Sequence, residues 1–282
     1  MPWCDNVNWS KPVIMKVPSI EMQVAIDASR RAQQVIMAHY DRNIKAHLKS
    51  DGTPVTQADL EAEKIIMDLI RERFPEHAFL SEEAGESSSR SESVWVIDPI
   101  DGTKNYMRGI PFFATQIALL RNGRLVLGVS NAPALQELLY AEVGYGAYLN
   151  GEQVRVSQID DLAKAYISLG GLNHFIASGQ LEEVLSVVGE AGRIRGFGDA
   201  YAYHLVATGR FEAIVETGVH IWDIAAMSVI INEAGGRCTD GQGADINLDT
   251  TCVICSNGKI HQRLLALFNQ PKWVKLSKAK QM

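Results

Sequence analysis

The earliest long pattern in the chain is helical. Ile20, Val24, Ile26, Ala28, Ala32, Val35, Ile36 and Ala38 recur among polar residues so as to give one apolar face, and Ser19 is suited to cap the start, which predicts an amphipathic helix over 19–42. Asp51-Gly52-Thr53-Pro54 breaks the period. A second helix is predicted from about Thr56 to Phe74 through Leu60, Ala62, Ile65, Ile66, Leu69 and Ile70, ended by Pro75. His77-Ala78-Phe79-Leu80 is a short strand candidate leading into Glu82-Glu83. The pattern then turns to β: Val94-Trp95-Val96-Ile97 stopped by Asp98-Pro99, strands at 113–120 and 124–130 about an Arg121-Asn122-Gly123 turn, and strands at 136–141 and 146–149 before a hairpin signal at Asn150-Gly151.

From about 152 the pattern alternates. Strand 164–169, helix 178–189, strand 193–196, helix 199–208, strand 211–215 and helix 222–234 follow one another, then strands near 237–239 and 252–255 and a last helix over 258–268. The expected organisation is a lead-in over 1–18, an α+β unit with a mainly antiparallel sheet over 19–151, an α/β unit over 152–268 and a tail over 269–282. No internal repeat is present.

With 282 residues and 46% of them hydrophobic, the chain can bury a large core. Its 33 acidic and 27 basic side chains give a net charge of -6, which repels an anionic ligand unless bound cations supply a local positive field. There is no extended basic stripe with interleaved aromatics, so nucleic acid is not an expected partner. Lys272, Lys275, Lys278 and Lys280 lie in the tail and read as a solvated terminus or a partner-binding patch. No leader pattern and no run of about 18 apolar residues occurs, so a cytoplasmic protein without membrane attachment is expected. Of the cysteines at 4, 238, 252 and 255, Cys252-Val-Ile-Cys255 has C-x-x-C spacing within apolar β-formers. It reads as ordinary strand thiols, with redox chemistry and a metal site as alternatives.

Carboxylates stand at the ends of predicted elements: Asp59, Glu82-Glu83, Asp98 with Asp101, and Asp223. Each alone could be a solvated side chain. Asp98-Pro99-Ile100-Asp101-Gly102-Thr103 differs, because a hydrophobic strand ends at its first acid, Pro99 fixes the turn, and Gly102 permits positive φ or close backbone approach. Such a turn can aim both carboxylates at one point with the Ile100 carbonyl between them. Two anions brought together unpaired are costly, and a divalent cation makes the pairing favourable. All-oxygen ligation suits magnesium or manganese, and two such ions about 3.5–4 Å apart serve phosphate hydrolysis. In His220-Ile221-Trp222-Asp223, the acid is either a further ligand or a helix cap. A covalent nucleophile is not evident: Gly-x-Ser-x-Gly, a Cys-x5-Arg loop and a nucleotide P-loop are all missing. Gly144-Tyr145-Gly146 and Gly235-Gly236 read as turns.

The segments PVTQAD (54–59), SEE (81–83), WVIDPIDGTKNY (95–106), WDIAA (222–226) and EAGG (233–236), in this order, resemble the inositol monophosphatase superfamily over roughly residues 20–268. The resemblance implies a layered αβαβα sandwich of mixed α+β and α/β character, a homodimer, and magnesium-dependent, lithium-inhibited hydrolysis of a small phosphorylated metabolite, with manganese as a substitute. It assigns one ion to Glu82, Asp98 and the Ile100 carbonyl and a second to Asp98, Asp101 and Asp223, with a third, weaker ion near Glu82. Asp59 and Thr103 would orient or deprotonate the attacking water, and the Gly102 and Thr103 amides would contact phosphate. Glu83, His220 and Lys49 would support the site; Lys49 also reads as an exposed charge beside a helix.

The branch is read from the second half. Asp199 with Tyr201 and Tyr203, and Lys104 after Asp101-Gly102-Thr103, resemble the histidinol-phosphate phosphatases, in which an added acid could accept an ammonium or imidazolium. Glu216-Thr217-Gly218-Val219-His220 resembles the inositol type, and Glu216 could meet a hydroxyl or a cation. Histidinol phosphate is the expected substrate. Inositol monophosphate, another sugar or aminopolyol phosphate, and nucleotide or sugar bisphosphates are alternatives, and a non-catalytic regulatory relative is the alternative of another class. Arg108 could meet phosphate or a substrate carboxylate, or form a structural salt bridge. Tyr106 and Phe112 could line the mouth or belong to the core.

Overall fold

A computed structural model describes residues 18–40, 46–48, 54–87 and 91–270. The first stripe forms α1 (Ile20–His39), and the Ser19 hydroxyl caps it by accepting the Met22 N–H at 3.1 Å. A short antiparallel pair, β1 (Ala46–Leu48) and β2 (Pro54–Thr56), then precedes α2 (Gln57–Arg73). The hydrophobic pattern gave no sign of that pair.

The next elements are β3 (Ala78–Ser81), β4 (Gly85–Glu86), β5 (Ser93–Asp101), α3 (Thr103–Tyr106), β6 (Ala114–Arg121), β7 (Arg124–Ala132), β8 (Glu137–Glu142), β9 (Gly146–Leu149) and β10 (Glu152–Gln153). Their strands form one eight-stranded sheet in the order β10-β9-β8-β7-β6-β5-β3-β4, antiparallel except where β3 meets β5. The expected stop at Asp98-Pro99 is corrected, because β5 continues to Asp101 with its pairing to β6 shifted between Asp98 and Asp101. A bulge is where a strand tolerates proline, which has no N–H for the ladder.

The second half comprises β11 (Tyr166–Leu169), α4 (Leu172–Ala177), α5 (Leu181–Glu190), β12 (Arg193–Arg195), α6 (Asp199–Ala207), β13 (Ala213–Thr217), α7 (Ile221–Glu233), β14 (Arg237–Asp240), β15 (Cys252–Ser256) and α8 (His261–Asn269). The short α4 was not expected. The five strands run β12-β11-β13-β15-β14, with β12, β11 and β13 parallel and both β15 pairings antiparallel. Cys238 and Cys255 face each other across β14 and β15 and form a disulfide, while Cys252 keeps its thiol. The C-x-x-C spacing was thus a poor guide to pairing, which strand register decides.

Alternation along the strands builds five layers. Trp95, Ile97, Ile117, Leu119 and Val129 of the large sheet are buried with α1 and α2. Val96, Ala118 and Leu139, on its opposite face, pack against Ile224 and Ile230 of α7, which also meet Ile214 and Cys255 of the small sheet. Outside the small sheet, Ile167, Val215 and Ile254 pack with α5 and α8. The order is therefore helices, large sheet, helices, small sheet, helices, the mixed sandwich that was expected. Each fully buried large side chain contributes about 1.5–3 kcal/mol. Gly128 lets α7 lie directly on β7, since a Cβ there would come within 2.3 Å of the Ala226 carbonyl oxygen. That close seating brings the first turn of α7 beside the end of β5.

Candidate active site

The irregular end of β5 carries the first two acids. The Ile100 N–H donates to Asp98 Oδ1 at 2.9 Å, and the Gln116 amide donates to Asp101 Oδ2 at 3.3 Å. Gly102 has φ +89° and opens α3; a Cβ there would lie 2.8 Å from the Phe112 carbonyl oxygen. Only glycine meets both demands at low cost. Thr103 Oγ1 donates to the Ile100 carbonyl at 3.0 Å, which uses one of its two lone pairs and leaves the other able to ligate.

The first turn of α7 supplies Asp223. Asp98, Asp101 and Asp223 each place a carboxylate oxygen within 4.8 Å of the others, with Asp98 only 2% exposed and Asp101 7%. Asp223 Oδ2 also accepts the His220 N–H at 2.7 Å, so helix capping and membership of the cluster coexist. Burial holds Asp98 well above the ordinary carboxylate range, and Glu82, Asp101 and Asp223 push it further. Burial does the same to Asp101, aided by Asp199, Asp223 and Glu216. The charges that raise both groups are all negative, and that is the environment a divalent cation relieves. An all-oxygen donor set fits magnesium or manganese.

Asp59 sits on the buried face of α2. Its Oδ2 accepts the Thr56 N–H at 2.8 Å and the Thr56 hydroxyl at 2.5 Å, whereas Oδ1 is buried with no hydrogen-bond partner. Burial pushes Asp59 up to about 6, with the Thr56 bonds acting against it and Glu82 reinforcing it. The Thr103 hydroxyl is directed to Ile100 rather than to Asp59, so the two expected partners are not joined by a hydrogen bond. One turn along α2, Glu63 accepts the Ser81 hydroxyl and the N–H groups of Glu83 and Ala84 at 3.3 and 3.2 Å, fixing the turn that carries Glu82.

A cleft of about 480 Å³ opens from Asp101 and Asp223 past Asp199, Tyr203, Glu216 and His174. Asp199 is the first residue of α6 and has φ +46°; its Oδ2 accepts Asn105 Nδ2 at 2.7 Å. Glu216 Oε2 accepts the Tyr203 hydroxyl at 2.8 Å. Burial raises Glu216 to about 7 against the Tyr203 bond, and raises Asp199 against the Asn105 bond and the pull of Lys104 and His174. Arg108 is exposed and is not among the cleft-lining residues. Tyr106 and Phe112 are not either: Tyr106 is fully buried and donates its hydroxyl to the Ile36 carbonyl, and Phe112 stacks on Tyr201 at 4.6 Å. His220 stands at the α7 cap with its ring stacked on Trp222. Lys49 and the basic tail lie outside the described residues.

Glu63, Asn105 and Gln116 were missed as site residues, and Tyr203, singled out beside Asp199, was not expected to hold Glu216. Glu63 and Gln116 left a signal, each being a polar residue in an apolar pattern: Glu63 follows Asp59 and Ala62 on the face of Ile66 and Ile70, and Gln116 stands between Ala114 and Ala118.

The sequence profile described as the inositol monophosphatase family matches residues 20–272. A histidinol-phosphatase of Chlorobaculum parvum is 35% identical over 247 residues, covering 87% of this chain and 95% of the relative. A fructose-1,6-bisphosphatase/inositol-1-monophosphatase of Thermotoga maritima is 36% identical over 250 residues, covering 88% and 96%. The crystal structure of the extragenic suppressor protein suhB from Bartonella henselae superposes with a TM-score of 0.84 at 35% identity, covering 90% of this chain and all of that one. No helix among the described residues is long and apolar enough to cross a membrane.

Proposed function

The chain belongs to the inositol monophosphatase family, and on that premise we propose that its acidic cluster carries magnesium-dependent hydrolysis of a small phosphomonoester whose organic part bears a cationic group, histidinol phosphate being the type. The observation that carries the hydrolytic reading is the convergence of Asp98, Asp101 and Asp223 within 4.8 Å, buried among other acids. Glu82, Asp98 and the Ile100 carbonyl would hold one cation, and Asp98, Asp101 and Asp223 another. Bound cations supply Lewis-acid activation of water and charge stabilisation of the phosphoryl and leaving oxygens.

The protein's own groups do the rest. Asp59 Oδ1, buried and without a hydrogen-bond partner, would take a proton from the attacking water, while Thr56 holds Oδ2 still. Thr103 steadies the Ile100 carbonyl, and the backbone amides of Gly102 and Thr103, where the left-handed Gly102 opens α3, would contact phosphate. Glu63 holds the turn of Glu82 and Glu83 in place, and His220 orients Asp223 through its N–H.

The substrate class rests on Asp199 and Glu216. Both line the cleft and each is held by a neutral donor, Asn105 and Tyr203, while burial raises both, an environment that a substrate cation would relieve. Such a pair favours an ammonium or imidazolium. Inositol monophosphate is the second reading, favoured by relatives named for that activity and by the capacity of the same carboxylates to accept hydroxyls. Phosphate release with magnesium from histidinol phosphate, inositol 1-phosphate and several sugar phosphates separates the two. A kcat/KM preference for histidinol phosphate of about 100-fold, or roughly 2.7 kcal/mol, supports the first; a flat profile or a polyol preference selects the second. Unchanged activity of Asp98→Asn would remove the metal assignment itself.

A further inference from the structure

We infer that Asn105 is a positioning residue, which fixes the Asp199 carboxylate relative to the phosphate-binding turn and thereby sets selectivity for a substrate with a cationic group. The inference rests on the cationic-substrate reading above.

Asn105 is rooted in the turn that follows the metal acids: its N–H donates to the Gly102 carbonyl at 2.9 Å, and its carbonyl accepts the N–H groups of Arg108 and Ile110 at 3.0 Å each. Its side-chain Nδ2 has two hydrogens, and both are engaged. One meets the Phe112 carbonyl at 3.0 Å, the oxygen that crowds Gly102; the other meets Asp199 Oδ2 at 2.7 Å across 94 residues of sequence. A single amide thus joins the Gly102-Thr103 turn to the first residue of α6.

Asp199 needs such a tether. Its φ is +46°, a conformation that few non-glycine residues adopt without surrounding restraint, and it follows Gly198, which has φ +60° and ψ −170°. A lysine or arginine in place of Asn105 would neutralise the carboxylate as it held it. An amide fixes the position and leaves the charge for the substrate. Phosphate at the turn and a cation at Asp199 would then be held a set distance apart, and substrates lacking the cation, or carrying it at another spacing, would lose the contact.

The test is a double-mutant cycle on the magnesium-loaded full chain with Asn105→Ala, Asp199→Asn and the double variant, assayed on histidinol phosphate and inositol 1-phosphate. Asn105→Ala is expected to raise KM for histidinol phosphate about 10-fold, the scale of one hydrogen bond to a charged group, with a smaller change in kcat and a smaller rise in KM for inositol 1-phosphate. In the Asp199→Asn background the same change is expected to add less than about twofold, because the group it positions has lost its charge. Equal losses on both substrates, or effects that multiply in the double variant, overturn the inference and leave Asn105 a support of the Phe112 loop. A wild-type enzyme without preference for histidinol phosphate overturns the substrate reading itself, and the inference with it; a preference that survives together with a multiplicative cycle overturns the inference alone. Asn105→Ser, which keeps a hydroxyl donor, gives a second cycle should the alanine variant fail to fold, with the same non-additivity expected.

Discussion

Replacing Asp59 by asparagine should make the metal-free protein more stable while removing most of its activity. The carboxyl is fully buried, Oδ2 accepts two bonds from Thr56, and Oδ1 has no hydrogen-bond partner. An asparagine carbonyl can accept both Thr56 bonds and keep the cap of α2, and the amide cannot ionise. Burial raises Asp59 from 3.8 to about 6, so above that pH the folded state carries a penalty of at most about 3 kcal/mol for an ionised buried acid. The sign follows from linkage. The unfolded chain releases this proton near pH 4 and the folded chain holds it to about 6, so the stability tied to the protonated group is intact below pH 4 and lost as pH rises through 6. Asp59→Asn should therefore match wild type near pH 4 and exceed it at pH 8, by about 1–3 kcal/mol or roughly 2–5 °C in Tm. Denaturant melts in EDTA at the two pH values measure this directly. Phosphate release with magnesium should fall by about 10²–10⁴, the range of a lost general base. A variant destabilised at both pH values, or stabilised equally at both, would refute the assignment of Asp59 as an ionisable group that the fold carries at a cost.

Three further outcomes are expected. Magnesium should raise the Tm of the wild type, and Asp101→Asn should abolish most of that rise while stabilising the metal-free protein, since one of three mutually repelling carboxylates is removed; an undiminished rise measured by calorimetry would place the ion elsewhere. Gly102→Ala should cost about 1–3 kcal/mol in chemical denaturation and lower kcat more than it raises KM, because a methyl must occupy a left-handed position 2.8 Å from the Phe112 oxygen; wild-type kcat would show that the turn is not where phosphate is stabilised. Cys255→Ala should reduce stability by about 3 kcal/mol under oxidising conditions, the loop-closure value for the 17-residue separation from Cys238, and most of the difference should vanish in dithiothreitol.

What the sequence made legible was whatever short-range pattern encodes. Ser19 with its apolar stripe gave α1, and the Asn-Gly pairs at 122–123 and 150–151 gave the hairpins of the large sheet, because caps and tight turns are local chemistry. Facts that depend on distant segments were not legible. The Cys238 pairing is set by the register of β14 on β15, and Asn105 meets Asp199 across 94 residues. Asp98, Asp101 and Asp223 were anticipated as one group only through the family's motifs, since spacing alone says nothing of a helix that crosses from the second half to lie on β7.

Asp59 and Asp223 show why a capping reading and a catalytic one need not compete. Each stands three residues past the N-cap of its helix, after Thr56 and His220, and each caps through one oxygen, Oδ2, which accepts the backbone N–H of that residue. A carboxylate has two oxygens and more acceptor sites than a cap consumes. The cap therefore fixes the carboxylate on a rigid helix end without exhausting it: Asp223 still offers an oxygen to the cluster, and Asp59 still presents Oδ1. The helix N-terminus also favours negative charge, which offsets part of the repulsion that the other acids impose on the site. Removing the cap alone should then damage function through position. Thr56→Val, which keeps the backbone N–H but deletes the hydroxyl bond at 2.5 Å, should lower kcat while leaving magnesium binding by Asp98, Asp101 and Asp223 intact; a parallel loss of magnesium affinity would mean that α2 carries the metal cluster rather than the water-activating group alone.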